Sequence, residues 1–420
     1  MRRAALGVAA LGLLACSGCA TVITGFPTSI GTDRAIVEGK VVNDIGILIE
    51  YWAEYGPTQA YGSETAHEFA GTGAYDLQTV RPRIEGLQRA TTYHYRVCAQ
   101  DTEQKGGPSC GEDRRFTTQS VGCGETVTAD VRLTGDLDCP QAPGFVIGAD
   151  GVDVDLAGHG MFGGIASGGG GPTGIDNTGG HDDLTVRNGT VGAFGFGIVT
   201  DGGSRNRVLD VFAGAAGNAV TIDGGSFNEI RGSDLFGRSW GVRVTDSDSL
   251  VISSTAAEGG FGDGIEVTGD LARIVRNRVI LQSGGLPTSG IELHGTGARI
   301  AENRVEGPWA LGGIFVGGAG NVVVDNVVRG AVLPSMGDFP HGGDGIFVSG
   351  AGGTVLRRNR ADDNEGDGIE VTSPGVKLEG NGASNNGDWG IDAVAGAIDL
   401  GGNSASGNGN AGQCRNVFCR

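Results

Sequence analysis

Beyond about residue 120 the apolar positions recur with a steady beat. A glycine or other small residue precedes Ile or Val, then comes any residue, then a second aliphatic one, as in Gly264-Ile265-Glu266-Val267, Gly290-Ile291-Glu292-Leu293 and Gly368-Ile369-Glu370-Val371. The first aliphatic residue returns at Ile175, Ile198, Val220, Val242, Ile265, Ile291, Ile314, Ile346, Ile369 and Ile391, at intervals of 23, 22, 22, 23, 26, 23, 32, 23 and 22 residues. A second column keeps step with it: Asn188, Asp210, Ser233, Ser254, Asn277, Asn303, Asn326, Asn359, Asn381 and Asn403. Glycines and β-branched residues at this density disfavour helix, and the short alternating runs have the period of strands. Each repeat is therefore predicted to be one turn of a coil of short strands, stacked about 4.8 Å from the last. The outer residues of Ile-x-Val point inward and the middle one outward. The asparagine column is expected to stack at a turn, with its amides bonded to backbone.

From about Thr21 to Thr118 the pattern is different: short strands separated by turns, at Ala35–Val42, Leu48–Tyr55, Tyr75–Ile84, Thr92–Gln100 and Arg114–Thr118. Three units follow: a leader over 1–20, an all-β sandwich over 21–118, and the repeat array over 119–420. Tyr51, Trp52, Tyr55 and Tyr61 could stack on sugar, but read first as core and sheet packing.

Composition supports the array. Glycine is 82 of 420 residues, far above the usual share of roughly 7%, and no strict Gly-X-Y period makes it collagen. Disorder is countered by 39% apolar residues at regular spacing. The net charge of -19 disfavours nucleic acid and anionic membrane surfaces as partners. It repels a polyuronate unless Ca²⁺ bridges the two; a neutral glycan meets no such barrier.

Residues 1–20 read as an export signal: Arg2 and Arg3, an apolar run from Ala4 to Ala15, then Ser17-Gly18-Cys19-Ala20. Leu13-Leu14-Ala15-Cys16 resembles a lipoprotein box, which implies an acylated Cys16 and a membrane contact made only through the lipid. Cleavage before Cys16 leaves Cys19 unpaired, whereas acylation at Cys19, or cleavage after Ala20, leaves an even six. Those six form close pairs, Cys98/Cys110, Cys123/Cys139 and Cys414/Cys419, read as local disulfides of an exported, monomeric surface protein.

Two resemblances sharpen the fold. Gly86-Leu87 followed by Thr91-Thr92-Tyr93-His94-Tyr95-Arg96-Val97, with the closing Phe116-Thr117-Thr118, resembles a fibronectin type III domain. This implies a tyrosine corner at Tyr93; the usual second-strand Trp is missing, and Trp52 lies one strand later. The repeat region resembles the right-handed parallel β-helix proteins of bacteria, the pectate-lyase-like group. Cys123-Gly124-Glu125-Thr126-Val127 through Cys139 looks like that family's N-terminal start, and so is expected to cap one end; Cys414 to Cys419 is expected to close the other.

Candidate chemistry gathers at the two long intervals. Counted from the asparagine column, both insertions, 279–289 and 328–344, leave the same corner and flank the turn carrying Gly313-Ile314-Phe315-Val316. The outward column beside them reads Arg243, Glu266, Glu292, Phe315, Phe347, Glu370, Asp392, with Trp309 on the connection between the insertions. Aromatic faces stack on sugar rings while carboxylates accept hydroxyl bonds. The expected glycan groove is Glu292, Trp309, Phe315 and Phe347, with Glu266 and Asp344 beside it. Burial of the phenylalanines under the insertions is the alternative. Asp263, Glu266, Glu292, Asp344, Asp367 and Glu370 supply carboxyl pairs for a glycosidase or ligands for Ca²⁺, and no cofactor is fixed by them. His341 and Glu292 are the best acid/base candidates. The resemblance implies specific enzyme motifs that are missing: Gly158-His159-Gly160 precedes Asp182-Asp183 in the wrong order, there is no Arg-x-Lys, and Asp338-Phe339-Pro340-His341 only loosely matches an epimerase motif. Non-catalytic carbohydrate binding is the leading expectation, and a polysaccharide lyase, hydrolase or epimerase the alternative.

Overall fold

The apolar beat is built as one stacked column. The computed structural model describes residues 21–43, 48–71, 76–103, 107–164, 171–281, 289–308, 312–332, 342–350 and 352–420, which form strands and turns with no helix among them. They divide into two compact units at Ser120/Val121.

In the second unit, Ile175 pairs with Ile198, and the pairing continues turn by turn through Ile291, Ile314, Ile346 and Ile369 to Ile391. All ten residues of that column are fully buried. Their strands make a parallel sheet of 13 among the described residues. The other two strands of each turn alternate in a second parallel sheet of 22, and the buried side chains of both form one continuous core. Such a solenoid buries its apolar surface only against neighbouring turns, which is why one repeat alone is insufficient.

The corner between the second and third strands is made by two adjacent columns, which the sequence reading merged. Asn188, Asp210 and Ser254, like Arg276, Glu302, Asp325 and Arg358, have φ between 51° and 59° and turn the chain. One residue later lies the ladder proper, Ser233 and Thr255, then Asn277, Asn303, Asn326, Asn359, Asn381 and Asn403. Each ladder Oδ1 from Asn303 onward accepts the backbone N–H and the Nδ2 of the preceding asparagine, at 2.9–3.1 Å. The left-handed position takes Asn, Asp and Gly readily, so the two columns look alike in sequence. A second ladder, Asn364–Asn386–Asn408, closes on Gln413, whose Oε1 accepts Asn408 Nδ2 at 2.8 Å. Cys123–Cys139 and Cys414–Cys419 are disulfides in the first and last turns.

The first unit holds two antiparallel sheets. One comprises Thr21–Ile30, Arg34–Asn43, Asp76–Val80 and Arg83–Glu85; the other is built on Ile49–Gly56, Thr92–Asp101 and Arg114–Thr117. Val37, Val41 and Ile84 from the first share a core with Ala53, Tyr95 and Val97 from the second, the packing of a sandwich. Cys98–Cys110 is its disulfide. The strand Thr21–Ile30 was not foreseen, because Gly25 and Pro27 interrupt its alternation and the register shifts at Pro27. The expected Tyr75–Ile84 strand divides around Arg81-Pro82, where proline has no N–H to give. Tyr51 and Trp52 are buried, with Trp52 stacked on His67 at 4.2 Å, so both are packing residues. Tyr93 Oη accepts the Gln88 N–H at 3.0 Å.

Candidate functional site

Because side chains alternate across a strand, the residue between the two inward ones stands on the outer face, and stacking aligns such residues between turns. Arg243, Glu266, Glu292, Phe315, Phe347, Glu370, Asp392 and Arg415 are paired in unbroken register. At the edge of this column, Asp263, Asp344 and Asp367 occupy the Asp of a recurring Asp-Gly-Ile, where the chain enters the strand. There each carboxylate binds the next turn: Asp263 Oδ1 accepts Ser289 N–H at 2.5 Å, Asp344 Oδ1 accepts Asp367 N–H at 2.7 Å, and Asp367 Oδ1 accepts Trp389 N–H at 2.7 Å.

The result is two carboxyl groups of three, one on each side of a pair of rings. In the first, burial and then the neighbouring Glu292 push the Asp263 carboxyl well above its usual range. Burial also raises Glu266, against the pull of Arg243, whose Nε is 3.5 Å from Glu266 Oε2. Glu292 Oε1 is bonded to His294 Nε2 at 2.7 Å. The exposed His294 ring leans on Phe315 at 5.1 Å, and Phe315 on Phe347 at 5.4 Å. In the second group, oxygens of Asp344, Asp367 and Glu370 all lie within 4.8 Å of one another. Burial, then the contact with Glu370, raises Asp344; burial pushes Asp367 up to about 7.

Desolvation and like charge both favour the neutral acid, so each group can share protons at neutral pH. The second also offers the hard oxygen donors that suit Ca²⁺, and among the described residues no donor is assigned to Asp344 Oδ2. Either a proton or a cation relieves the same repulsion.

The family profile described as the right handed beta helix region matches residues 173–328 and 285–415, more than half of the chain. The chain belongs to the right-handed β-helix family. Several solved structures are similar to the chain at low identity and low TM-score. An alginate lyase from Paenibacillus sp. strain FPU-7 is 16% identical, covering 69% of this chain and 99% of its own, with a TM-score of 0.40. A periplasmic alginate epimerase is 15% identical over 69% and 79%, with a TM-score of 0.41. The catalytic domain of a GH87 alpha-1,3-glucanase in complex with nigerose is 12% identical over 96% and 98%, with a TM-score of 0.38. No curated protein matches the sequence.

Of the residues expected at the site, this β-helix brings Glu266, Glu292, Phe315, Phe347 and Asp344 to one face. His341, Trp309, Cys16 and Cys19 lie outside the described residues. So does most of both insertions, although the described flanks place each between the third strand of one turn and the first of the next. Phe347 is only 7% exposed, in line with the alternative of burial; it packs on Phe315, which is half-buried and keeps a free surface. His294 was missed. The signal was present in Glu292-Leu293-His294, since residues two apart in a strand share a face.

Proposed function

We propose that this β-helix protein binds a neutral glycan along the outward column from Glu266 to Asp392 without cleaving it. The observation that carries the reading is the juxtaposition of a half-exposed ring, an exposed imidazole and proton-sharing carboxyl groups on one continuous sheet face. The column holds no lysine or arginine between Glu266 and Asp392. Sugar rings offer apolar C–H faces to Phe315 and hydroxyls to Glu266, Glu292 and His294. The leader over residues 1–20, with Cys16 or Cys19 as lipid attachment, and three disulfides fit an exported, monomeric surface protein. The fibronectin type III-like sandwich then serves as spacer.

A second reading is a polysaccharide-active enzyme, a lyase, hydrolase or epimerase. One specific observation favours it: Asp263, Glu292 and His294 form a linked series of titratable groups across two adjacent turns, the arrangement from which acid/base pairs are made.

Incubating the purified protein with immobilised polysaccharides, while following both retention and soluble product, separates the two. Retention without product, lost in Phe315→Ala, is the expected result. Product formation abolished by Glu292→Gln or His294→Ala establishes the enzyme instead.

A further inference from the structure

On the outer side of the second parallel sheet, the bend between the two strands of each turn carries a concentration of arginine that the net charge of -19 conceals. Arg273 stands in register against Arg299, and Arg278 against Arg304, with Arg276 at the bend between Arg273 and Arg278, where φ is 56°. Stacked turns lie about 4.8 Å apart. Each register pair therefore sets like charge directly against like charge, an arrangement that costs stability unless something neutralises it.

Elsewhere along this bend the protein neutralises its own arginines. Arg358 makes two bonds to Asp325 at 2.7 Å, Arg357 lies 2.7 Å from Glu379, Arg360 pairs with Asp362, and Arg304 pairs with Glu306 at 2.5 Å. Arg273, Arg276, Arg278 and Arg299 differ: among the described residues none of them makes an ion pair. The first three are exposed and Arg299 is half-buried. Glu302, the bend residue one turn on from Arg276, pairs with none of the four, and the neighbouring segment 282–288 contains no Asp or Glu. The patch is convex, because the inward side chains of the same strands, Ile274, Val279, Ile300 and Val305, fill the core behind it. A convex patch cannot enclose a small anion. Its guanidinium forks can instead meet an array of phosphates laid across it, each fork taking two oxygens of one phosphate.

We infer that this arginine patch docks the second sheet of the coil against a membrane surface bearing anionic phospholipid headgroups. The choice of a membrane rests on the reading of residues 1–20 as a leader for lipid attachment, since an attached lipid holds the chain beside phosphate headgroups at high local concentration. The patch then fixes which side of the coil faces the bilayer, and the outward column with Phe315, on the other sheet, stays free for glycan. The overall negative charge does not prevent this: at physiological salt, charges more than about 8 Å away are largely screened, and the contacting groups are the four arginines.

Vesicle co-sedimentation of the chain from Thr21 onward, which contains every described residue and neither leader cysteine, reads the patch apart from the anchor. Phosphatidylcholine vesicles with about one third phosphatidylglycerol are expected to retain the protein, phosphatidylcholine alone is not, and salt at about 0.5 M should release it. Each arginine at an anionic surface is worth about fivefold in partitioning. Replacing Arg273, Arg276 and Arg278 together by Gln should therefore weaken binding about 100-fold, while the urea midpoint stays or rises as like charges are relieved. The same loss of charge at Arg81, Arg83 and Arg115, exposed on the sandwich, should change binding by no more than about twofold. Equal binding to the two kinds of vesicle overturns the inference, as does an equal loss in the sandwich variant. Retention on immobilised polyphosphate without retention on vesicles also overturns it, by making the partner a soluble phosphate polymer. Mass spectrometry of the native chain decides lipid attachment separately: an N-terminus without acyl chains removes that reading, while vesicle binding through the arginines still upholds this one.

Discussion

Replacing Asn326 with alanine tests whether the ladder holds the coil together. Its Oδ1 accepts from the backbone N–H and the Nδ2 of Asn303, and its Nδ2 donates to Ile300 O and Asn359 Oδ1, four bonds at 2.9–3.0 Å. Asn303 Nδ2 keeps Ile274 O, and Asn359 Oδ1 keeps the Asn326 backbone N–H, which alanine retains. The Asn303 N–H is left without its partner at a site only 1% exposed. At about 1 kcal/mol net per bond, the loss comes to about 4 kcal/mol. Ser233→Ala is the internal comparison. It occupies the same column, yet its hydroxyl makes only two bonds, to Val211 N–H and Arg231 O, so about 2 kcal/mol is expected. Urea unfolding followed by circular dichroism gives the two values. Hydrogen exchange gives their location, since contacts between neighbouring turns alone should confine lost protection to strands near Arg299–Ala301 and Val322–Val324. An Asn326→Ala cost no larger than that of Ser233→Ala would refute the reasoning, as would protection lost evenly along the coil.

Asp367 is an acid whose folded pKa, about 7, lies above the 3.8 of the unfolded chain. The folded state therefore holds more protons between these values, and stability from this group falls as pH rises from about 4 to 7. Asp367→Asn should flatten the pH dependence of thermal unfolding across that window; an unchanged slope would show the carboxyl to be unperturbed. Removing the Cys123–Cys139 link, which closes 16 residues of chain, should cost about 3 kcal/mol by loop-closure entropy, read as the change in urea midpoint between oxidised and doubly substituted protein. Phe347→Ala should destabilise by about 3 kcal/mol, as a buried ring does, whereas Phe315→Ala should affect glycan retention more than the unfolding midpoint; matching effects on stability would place both rings in packing alone.

The inward column was legible to the residue because strand period and core burial impose the same constraint at every turn: Ile175 to Ile391 needed no tertiary information. The corner was half legible. Asn188 and Ser254 satisfy a left-handed turn, while Asn277 and Asn303 satisfy a ladder, and the two demands favour overlapping residue types one position apart. The outward column was also readable as a register, but exposure was not, since burial of Phe347 depends on what lies over the sheet rather than on its own strand. The Asp263–Glu292 and Asp344–Glu370 approaches join residues 29 and 26 positions apart. They became visible only when the Asp-Gly-Ile corner was seen to lean toward the adjacent turn.

The central claim, that the Phe315 face receives a neutral sugar chain, is tested most directly by a crystal structure of the protein with a retained neutral oligosaccharide. A sugar ring stacked on Phe315 at about 4 Å, with hydroxyls bonded to Glu292 and Glu266, is the predicted result. Oligosaccharide bound elsewhere on the molecule, with the column from Glu266 to Asp392 bare, would contradict it.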